Sequence, residues 1–332
     1  MARKYRRSYQ RIDPHVHCRD WNESYKATIR DVVRKALSKG IGAVFDMPNT
    51  DPPLLGLEEA RKRLRTADQQ GVLQHYFIYI AVTPNEKQLE EAVRAYEEIY
   101  RVVGMKLYTA PMKGLEARSA DEQLLIYKTL ASLGYKGVLA IHCEKYDLLS
   151  EGLWDPYKPY TWNIARPVEA EVECVKQQLR LARDAGFKGT LYFVHISTPE
   201  AVLLINRARG EGISVACGVT PHHLIFDTDH MRSPEGIVLK VNPPIRDRIY
   251  VEGLRRSVLS GLADFLETDH APHSPWEKTG PPYLSGIRSL DIYDKALEKL
   301  ISSGADEDLI YRITRGNVEY IFKKIEDLLK HI

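Results

Sequence analysis

A small set of residues in this chain has side chains that suit metal binding. Two histidines form a His15-Val16-His17 segment, and four more candidates follow apolar stretches later in the chain: Lys106, His142, His195 and Asp269. Imidazole nitrogens and carboxylate oxygens suit a borderline divalent cation such as zinc. Four imidazoles and one carboxylate exceed the needs of a single tetrahedral site with an open position. The set therefore indicates two metals.

Each of these residues also has an explanation that needs no metal. A single histidine in a strand is more often a hydrogen-bonded core residue, and a His-x-His pair is weak support by itself. Asp269 together with His273 could form a capped turn. Lys106 is harder to explain in this way, because a lysine is rarely buried without a partner. A lysine inside a strand requires a nearby anion or a changed charge.

The candidates follow short β-branched or aromatic runs that alternate with amphipathic helical patterns. The predicted strands are Gln10–His17, Ala43–Met47, Tyr76–Val82, Val103–Tyr108, Val138–Cys143, Thr190–Ile196, Ile213–Val219 and Ala263–Thr268. The predicted helices are Ser24–Ser38, Leu57–Gln69, Glu86–Tyr100, Ser119–Leu133, Arg166–Ala185, Thr198–Arg209 and Val251–Ser260. Ser119 with Glu122, and Thr198 before Pro199, are typical of helix starts.

Eight strands alternating with helices predict a parallel sheet, because parallel neighbours need a crossover connection. Eight such units in roughly 260 residues fit a closed (β/α)₈ barrel better than an open doubly wound sheet. No glycine-rich dinucleotide or phosphate fingerprint follows the first strand. We therefore predict an α/β protein whose residues 1–332 form a single (β/α)₈ TIM barrel domain. Its strands lie between about 10 and 270, and a helical tail covers about 288–332.

In such a barrel, functional side chains lie where the strands end. The two-residue period of a strand places His15, His17 and Arg19 on one side. The other candidates follow four further strands, so all of them are expected to face one small space. The metal-free explanations given above treat each residue separately, so they do not explain why all of these residues face the same space.

Several segments together resemble dihydroorotases, which are cyclic amidases of the amidohydrolase superfamily. The segments are Asp13-Pro14-His15-Val16-His17-Cys18-Arg19, Met47-Pro48-Asn49-Thr50, Gly104-Met105-Lys106-Leu107-Tyr108, His142-Cys143-Glu144, Val194-His195-Ile196-Ser197, Thr220-Pro221-His222-His223-Leu224, Asn242-Pro243-Pro244 and Asp269-His270-Ala271-Pro272-His273. The match spans roughly residues 12–290. Single segments are shared with hydantoinases and allantoinases, whereas the pairing of Met-Pro-Asn-Thr with Asp-His-Ala-Pro-His resembles dihydroorotase in particular.

The resemblance implies a barrel of the metal-dependent hydrolase type with two Zn²⁺ or other divalent ions. Its implied ligands are His15, His17 and Asp269 for one metal, His142 and His195 for the other, and a carbamate on Lys106 as the bridge. The loop over residues 109–120 lacks the Asp-Asp-Gly signature of relatives that use an aspartate bridge, which favours Lys106. Arg19, Asn49 and His273 are expected to bind the substrate carboxylate, with Asn242 near the ring.

The implied activity is the reversible cyclisation of N-carbamoyl-L-aspartate to dihydroorotate in pyrimidine biosynthesis. A metal-activated hydroxide would attack the ring amide, and Asp269 would act as the catalytic acid and base. Arg19 can pair bidentately with a carboxylate of this acidic substrate. Two alternatives stay open: a hydantoinase-like or allantoinase-like cyclic amidase, and a non-catalytic scaffold for aspartate transcarbamoylase.

Other residues near the predicted site are expected to support structure. His222 and His223 follow strand seven and are assigned to a loop or to support of the ligands, and His230 to the surface. Cys18 and Cys143 alternate with ligands and should turn away from the barrel axis.

Two departures from the family pattern affect loops. Cys18-Arg19-Asp20-Trp21 keeps only the arginine of a common Leu-Arg-Glu-Pro-Gly segment, and Gly286–Asp291 replaces a common Gly-Leu-Glu-Thr segment. The small β-sandwich that terminal extensions build in many relatives is expected to be missing or vestigial.

Charge, hydropathy and cysteine content bear on nucleic-acid binding, membrane binding and cellular location. The net charge is +2, the segment Met1–Arg11 is rich in Arg and Lys but no basic stripe continues downstream, and no apolar run approaches the length of a membrane span. We therefore expect neither nucleic-acid nor membrane binding. Four scattered cysteines favour reduced thiols in a cytoplasmic enzyme. A homo-oligomer, or a complex with aspartate transcarbamoylase, stays open.

Overall fold

The computed structural model describes residues 9–332, and its sheet contains eight parallel strands in the order of the chain. The strands are β1 Arg11–Val16, β2 Ile41–Asp46, β3 Tyr76–Ala81, β4 Val102–Tyr108, β5 Val138–His142, β6 Thr190–Phe193, β7 Val215–Val219 and β8 Phe265–Leu266. Val16 pairs in parallel with His270, and His17 N donates to His270 O at 2.9 Å. These contacts bring the last strand back to the first, so the predicted (β/α)₈ TIM barrel is confirmed.

Helices occupy the connections between the strands. They are α1 Ile29–Ser38, α2 Leu57–Gln69, α3 Glu86–Glu98, α4 Ala120–Ser132, α5 Trp162–Ala165, α6 Val168–Asp184, α7 Pro199–Gly210, α8 Pro221–Ile225, α9 Arg248–Leu259, α10 Pro275–Thr279, α11 Tyr293–Ser302, α12 Glu307–Tyr311, α13 Asn317–Ile321 and α14 Glu326–Leu329. The first helix begins later than the predicted Ser24, because its N-cap is Thr28, and a short 3₁₀ turn at Trp21–Glu23 lies before it. Thr28 then caps α1 by accepting from Asp31 N at 3.1 Å.

The strands are apolar on both faces because both faces are covered. Every residue of β2 is buried, for example, as expected for a parallel strand between a barrel interior and an outer helix layer. Strand β8 is shorter than the predicted Ala263–Thr268. Thr268 N donates to Asp13 Oδ1 at 3.0 Å rather than to a carbonyl of the neighbouring strand, which helps to end β8 while holding it against β1.

The helical tail closes the amino-terminal end of the barrel. Phe322 extends into the aromatic interior, where its ring centroid lies 5.0 Å from that of Phe45 and 6.2 Å from that of Tyr192. Arg315 Nη1 donates to Gln10 O just before β1. The tail thus completes one of the two main hydrophobic cores, while the other lies between the sheet and the outer helices.

Most of the basic segment Met1–Arg11 lies outside the described residues. Within residues 9–332, no helix combines the length and apolarity needed to cross a membrane.

Candidate metal centre and substrate pocket

All six predicted metal ligands line one pocket at the carboxyl-terminal end of the barrel. The pocket has a volume of about 200 Å³. The six residues are His15 at the end of β1, His17 just after it, Lys106 in β4, His142 ending β5, His195 after β6 and Asp269 after β8. Because parallel strands all end at the same rim, residues distant in sequence converge here.

Three of these residues point their donor atoms at one small volume. His17 Nε2 lies 2.9 Å from Asp269 Oδ1, and His15 Nε2 lies 3.3 Å from both His17 Nε2 and Asp269 Oδ1. The three side chains together have the geometry of a metal-binding group. Two imidazole nitrogens and a carboxylate oxygen directed at one point suit a shared cation.

The two remaining imidazoles form a second group beside the first. His142 Nδ1 lies 3.0 Å from His195 Nε2, and the ring centroids of His195 and His15 are 5.3 Å apart. Burial lowers the pKa of His142 below 6.5, and it lowers the pKa of His15 and His195 well below that value. These three imidazoles are therefore neutral near pH 7, which is the form that binds a metal.

Lys106 is a buried amine that lines the same pocket as the two groups. Its Nζ has no hydrogen-bond partner among residues 9–332. Burial lowers the pKa of Lys106 to about 7, against the opposing effect of the Glu267 and Asp269 carboxylates. A substantial fraction of this side chain is therefore uncharged near neutral pH. This agrees with the expectation that a lysine in this strand needs a changed charge or an anion.

The backbone is strained at two of the candidate ligands. His195 and Asp269 have positive φ angles of 41° and 47°, which non-glycine residues rarely adopt. Such strain persists only where the surrounding structure imposes it, and it concentrates at functional sites. Here it turns both side chains inward just beyond β6 and β8.

Oxygen acceptors lie behind three of the four imidazoles. His17 Nδ1 lies 2.7 Å from Asn49 Oδ1, and His142 Nε2 lies 2.8 Å from Glu144 Oε2. His15 Nδ1 lies 3.4 Å from Glu267 Oε1. Each contact occupies the ring nitrogen that faces away from the pocket, so it orients the other nitrogen inward.

Glu144 and Glu267 are functional candidates without a role predicted from the sequence, although alternation along the strands could have identified both. Glu144 is two residues beyond His142, and Glu267 is two residues before Asp269, so each pair shares one side. Burial raises the pKa of Glu144, but Arg166 and His142 outweigh that effect and hold it well below its usual range. Burial raises the pKa of Glu267 well above its usual range.

The predicted substrate residues lie together on the pocket wall. Arg19 Nη2 lies 3.2 Å from His273 Nε2, while Arg19 Nε donates to Pro272 O at 3.0 Å. Asn49 uses its oxygen on His17, and its amide nitrogen lies 3.1 Å from Met112 Sδ. Asn242 Oδ1 accepts from the indole of Trp162 at 3.0 Å.

A buried ion pair holds the backbone of the segment that carries Arg19. Arg63 Nη2 lies 2.8 Å from Asp46 Oδ2, and the same guanidinium donates to the carbonyls of Cys18 and Arg19. Arg63 and Asp46 are fully buried. Their contacts hold the backbone from which the Arg19 side chain extends into the pocket.

A charged cluster that the sequence analysis did not anticipate lies at the pocket mouth. Glu23 Oε1 accepts from Lys26 Nζ and Lys113 Nζ, each at 2.9 Å, and Glu23 Oε2 lies 4.0 Å from Arg19 Nη1. Lys113 comes from the loop after β4, and no local sequence pattern predicts that this loop contacts Glu23. The cluster places three cations around one carboxylate.

The neighbouring histidines and cysteines lie as expected. His222 Nδ1 lies 2.8 Å from Ser289 Oγ, and His223 contacts Thr220 and the carbonyl of Pro243, so both hold the short helix α8 against neighbouring segments. His230 is partly exposed beside Asp227. Cys18 and Cys143 belong to the core between sheet and helices. All four cysteines are free and buried.

Curated proteins and solved structures that are similar to this chain are cyclic amidases. No family model matches the chain. Dihydroorotase from Aeropyrum pernix is 31% identical over 277 residues, covering 82% of this chain and 59% of the relative. The enzymes from Pyrobaculum aerophilum (30%) and Methanothermobacter thermautotrophicus (31%) cover 85% and 88% of this chain, and 64% of each relative. The chain thus spans about 60% of the length of these curated relatives.

Solved structures show the same architecture. An L-hydantoinase (dihydropyrimidinase) from Arthrobacter aurescens superposes with a TM-score of 0.83 at 25% identity, covering 95% of this chain and 71% of that one. A D-hydantoinase superposes with a TM-score of 0.78 at 20% identity, which supports the fold alone.

In its fold and in the inward ring of candidate ligands, the chain is similar to TIM-barrel amidohydrolases. Its curated homologues within that superfamily are dihydroorotases from archaea and bacteria.

Proposed function

We propose that this chain is a dihydroorotase, which closes N-carbamoyl-L-aspartate to dihydroorotate with loss of water and catalyses the reverse reaction. One observation carries the proposal: four inward imidazoles, Asp269 and an unpartnered buried lysine lie in the same pocket as Arg19. Similarity to dihydroorotases over 82–88% of the chain supports the choice of substrate.

The donor set fits two divalent ions, with zinc as the expected metal. His15, His17 and Asp269 would hold one ion, and His142 with His195 the other. A carbamate on Lys106 would supply the bridging anion and would explain why Nζ has no partner in the described part of the chain. Bound metals of this kind acidify water and polarise a carbonyl oxygen.

Asp269 is the proposed catalytic acid and base. In ring opening, a water oxygen bonds to the ring amide carbon, the C–N bond breaks, and the departing nitrogen gains a proton. The Asp269 carboxylate lies at the centre of the first ligand group, where it can take the proton from water and deliver it to that nitrogen. Ring closure uses the same proton transfer in reverse.

Arg19 is the proposed anchor for the substrate carboxylate, with Asn49 and His273 beside it. Arg19 Nη1 is 4.0 Å from Glu23 Oε2, which is longer than a hydrogen bond. This edge of the guanidinium can therefore still donate to a substrate carboxylate. Lys26 and Lys113 offset the negative charge of Glu23. Asn242, which lines the same pocket, is proposed to contact the ring.

A hydantoinase-like cyclic amidase is the second candidate function. The L-hydantoinase superposition with a TM-score of 0.83 favours it, because that relative has the same barrel. Turnover of dihydroorotate, hydantoin and allantoin by one preparation would separate the candidates. The presence of all six candidate ligands argues against a non-catalytic scaffold.

Further proposals concern the whole protein. We propose a single barrel domain with its tail, and a cytoplasmic location that suits the free buried cysteines. A homo-oligomer and a complex with aspartate transcarbamoylase are proposals that light scattering and co-elution would test.

The decisive experiment combines metal analysis with activity. We expect about two metals per chain in the parent, turnover of carbamoyl aspartate and dihydroorotate, and a large loss of activity in Lys106→Ala because the bridge is removed. Exposed Lys136→Ala is the control. Full activity in Lys106→Ala would contradict the bridge. A metal-loaded parent that turns over neither substrate would contradict the proposed function.

A further inference from the structure

The carboxylate of Glu144 contacts His142 on the side of the ring away from the pocket. Glu144 Oε2 lies 2.8 Å from His142 Nε2, and Glu144 is fully buried. His142 Nδ1, the other ring nitrogen, faces His195 Nε2 at 3.0 Å. Glu144 therefore lies behind one of the two imidazoles of the second ligand group.

A rigid network fixes the position of this carboxylate. The Arg166 guanidinium donates to both Glu144 oxygens, with Arg166 Nε 3.0 Å from Oε1. The Thr109 hydroxyl lies 2.6 Å from the His142 carbonyl oxygen and 3.0 Å from that of Glu144, so its single hydrogen is shared between them, and Glu144 N donates to the same hydroxyl at 3.1 Å. Side chain and backbone of this segment are thus held by separate contacts, which leaves the His142 ring little freedom to rotate.

The contact also determines which nitrogen of His142 carries hydrogen. A carboxylate paired with a guanidinium has no proton to donate, so the bond to His142 requires hydrogen on Nε2. A neutral imidazole has only one N–H, which leaves a lone pair on Nδ1 directed at the centre. His17 is held in the opposite sense, since the Asn49 Oδ1 acceptor lies 2.7 Å from its Nδ1.

We infer that Glu144, clamped by Arg166, is a positioning residue that fixes His142 as the Nε2–H tautomer and thereby directs Nδ1 to the second metal. The inference rests on the proposed metal centre, and it adds a residue outside the ligand set. The acceptors of the other imidazoles do not contact His142. Loss of Glu144 should therefore weaken chiefly the metal held by His142 and His195.

The test measures Zn²⁺ affinity by chelator competition and metal content of the purified protein, independently of activity. Glu144→Gln places an amide donor against either Arg166 or His142, so one charge-assisted bond is lost. We expect affinity at one of two sites to fall on the order of 10- to 100-fold, with the other site little changed. Nitrogen NMR of the metal-free parent should show His142 as the Nε2–H tautomer, and the variant should show a mixture.

Glu151→Gln is the matched control. Glu151 accepts from Arg166 Nη1 at 2.6 Å, so this variant alters the same arginine without touching His142. It should keep both metal sites and the tautomer. If unpaired Arg166 prevents Glu144→Gln from folding, the double variant Glu144→Met with Arg166→Met removes both buried charges and should show the same selective loss.

The outcomes separate the inference from the proposed function. A parent with two metals, together with folded Glu144 variants of unchanged affinity and tautomer, would overturn the role of Glu144 alone. Equal weakening in Glu151→Gln would also overturn it, because the effect would then belong to Arg166. A folded parent that binds no metal would overturn the metal centre and, with it, this inference.

Discussion

At the scale of single residues, burial decides the chemistry of the pocket. For Lys106, burial outweighs the effect of the Glu267 and Asp269 carboxylates and favours the neutral amine, whereas Glu144 beside Arg166 remains a carboxylate. Arg19 is held between His273 and Glu23 and keeps one edge towards the pocket. Each charge state follows from the neighbours of the residue rather than from its type alone.

Arg19→Met should selectively impair acidic substrates. Methionine keeps much of the apolar stem but cannot pair with a carboxylate, so we expect KM for dihydroorotate to rise at least 10-fold. Metal content should stay unchanged, because Arg19 is not a proposed ligand. The measurement is steady-state kinetics with dihydroorotate. An unchanged KM would show that the substrate carboxylate binds elsewhere.

Glu23→Gln should change how stability depends on pH. Burial raises the pKa of Glu23, but Lys113, Arg19 and Lys26 together lower it to about 2 from 4.5. A lowered folded-state pKa stabilises the fold above pH 4.5, and that stabilisation is lost as the pH falls towards 2.

Denaturant unfolding at pH 6 and pH 2.5 would measure this effect. The variant should be less stable than the parent at pH 6, and the difference should shrink at pH 2.5. Glu58→Gln, which alters an exposed pair with Arg61, is the control and should show little difference at either pH. A gap between parent and Glu23→Gln that is independent of pH would contradict the assignment.

At the scale of elements, the ends of strands and the caps of helices position the functional loops. The loop after β4 carries Lys113 to the pocket mouth and ends at Ser119, the N-cap of α4. Glu122 N donates to Ser119 Oγ at 3.2 Å, and Ser119 N donates to Glu122 Oε2 at 2.9 Å. This reciprocal pair fixes the point where the loop rejoins the barrel.

Ser119→Ala should lower the free energy of unfolding by about 1 kcal/mol, because a backbone donor of α4 loses its partner. Chemical denaturation measures the change. Ser302→Ala is the control: this exposed serine lies at the end of α11, and its removal should cost less than about 0.5 kcal/mol. Equal losses in the two variants would show that the cap contributes nothing specific.

At the scale of the whole molecule, the two ends of the barrel differ in polarity and in what they contribute. The carboxyl-terminal end holds the polar site, and the amino-terminal end is closed by apolar residues of the tail. Phe322 contacts aromatic rings contributed by several strands. The tail therefore contributes stability at a distance from the chemistry.

Phe322→Ala should lower the free energy of unfolding by about 3–5 kcal/mol through lost burial and a cavity. The folded fraction should keep the metal content and KM of the parent, since no pocket residue changes. Thermal unfolding and metal analysis would check both expectations. Tyr320→Ala, an exposed aromatic of the same tail, should cost far less. Similar destabilisation in both variants would contradict the role of Phe322 as a plug.

The sequence by itself determined the fold class and indicated which residues are candidate metal ligands. Strand and helix periods predicted the barrel, and β4 agrees with its prediction within one residue. The positions of the strand ends identified the six candidate ligands, because all strands of a parallel barrel end at the same rim. These patterns depend on residues that are close in sequence, so they can be recognised without knowledge of the tertiary structure.

Only the tertiary structure decided the contacts between segments distant in sequence. It paired Glu144 with Arg166 and His142, and it placed Lys113 against Glu23. It also imposed positive φ angles on His195 and Asp269, which no local preference favours. These features depend on side-chain directions and burial after the barrel closes, and a linear pattern specifies neither.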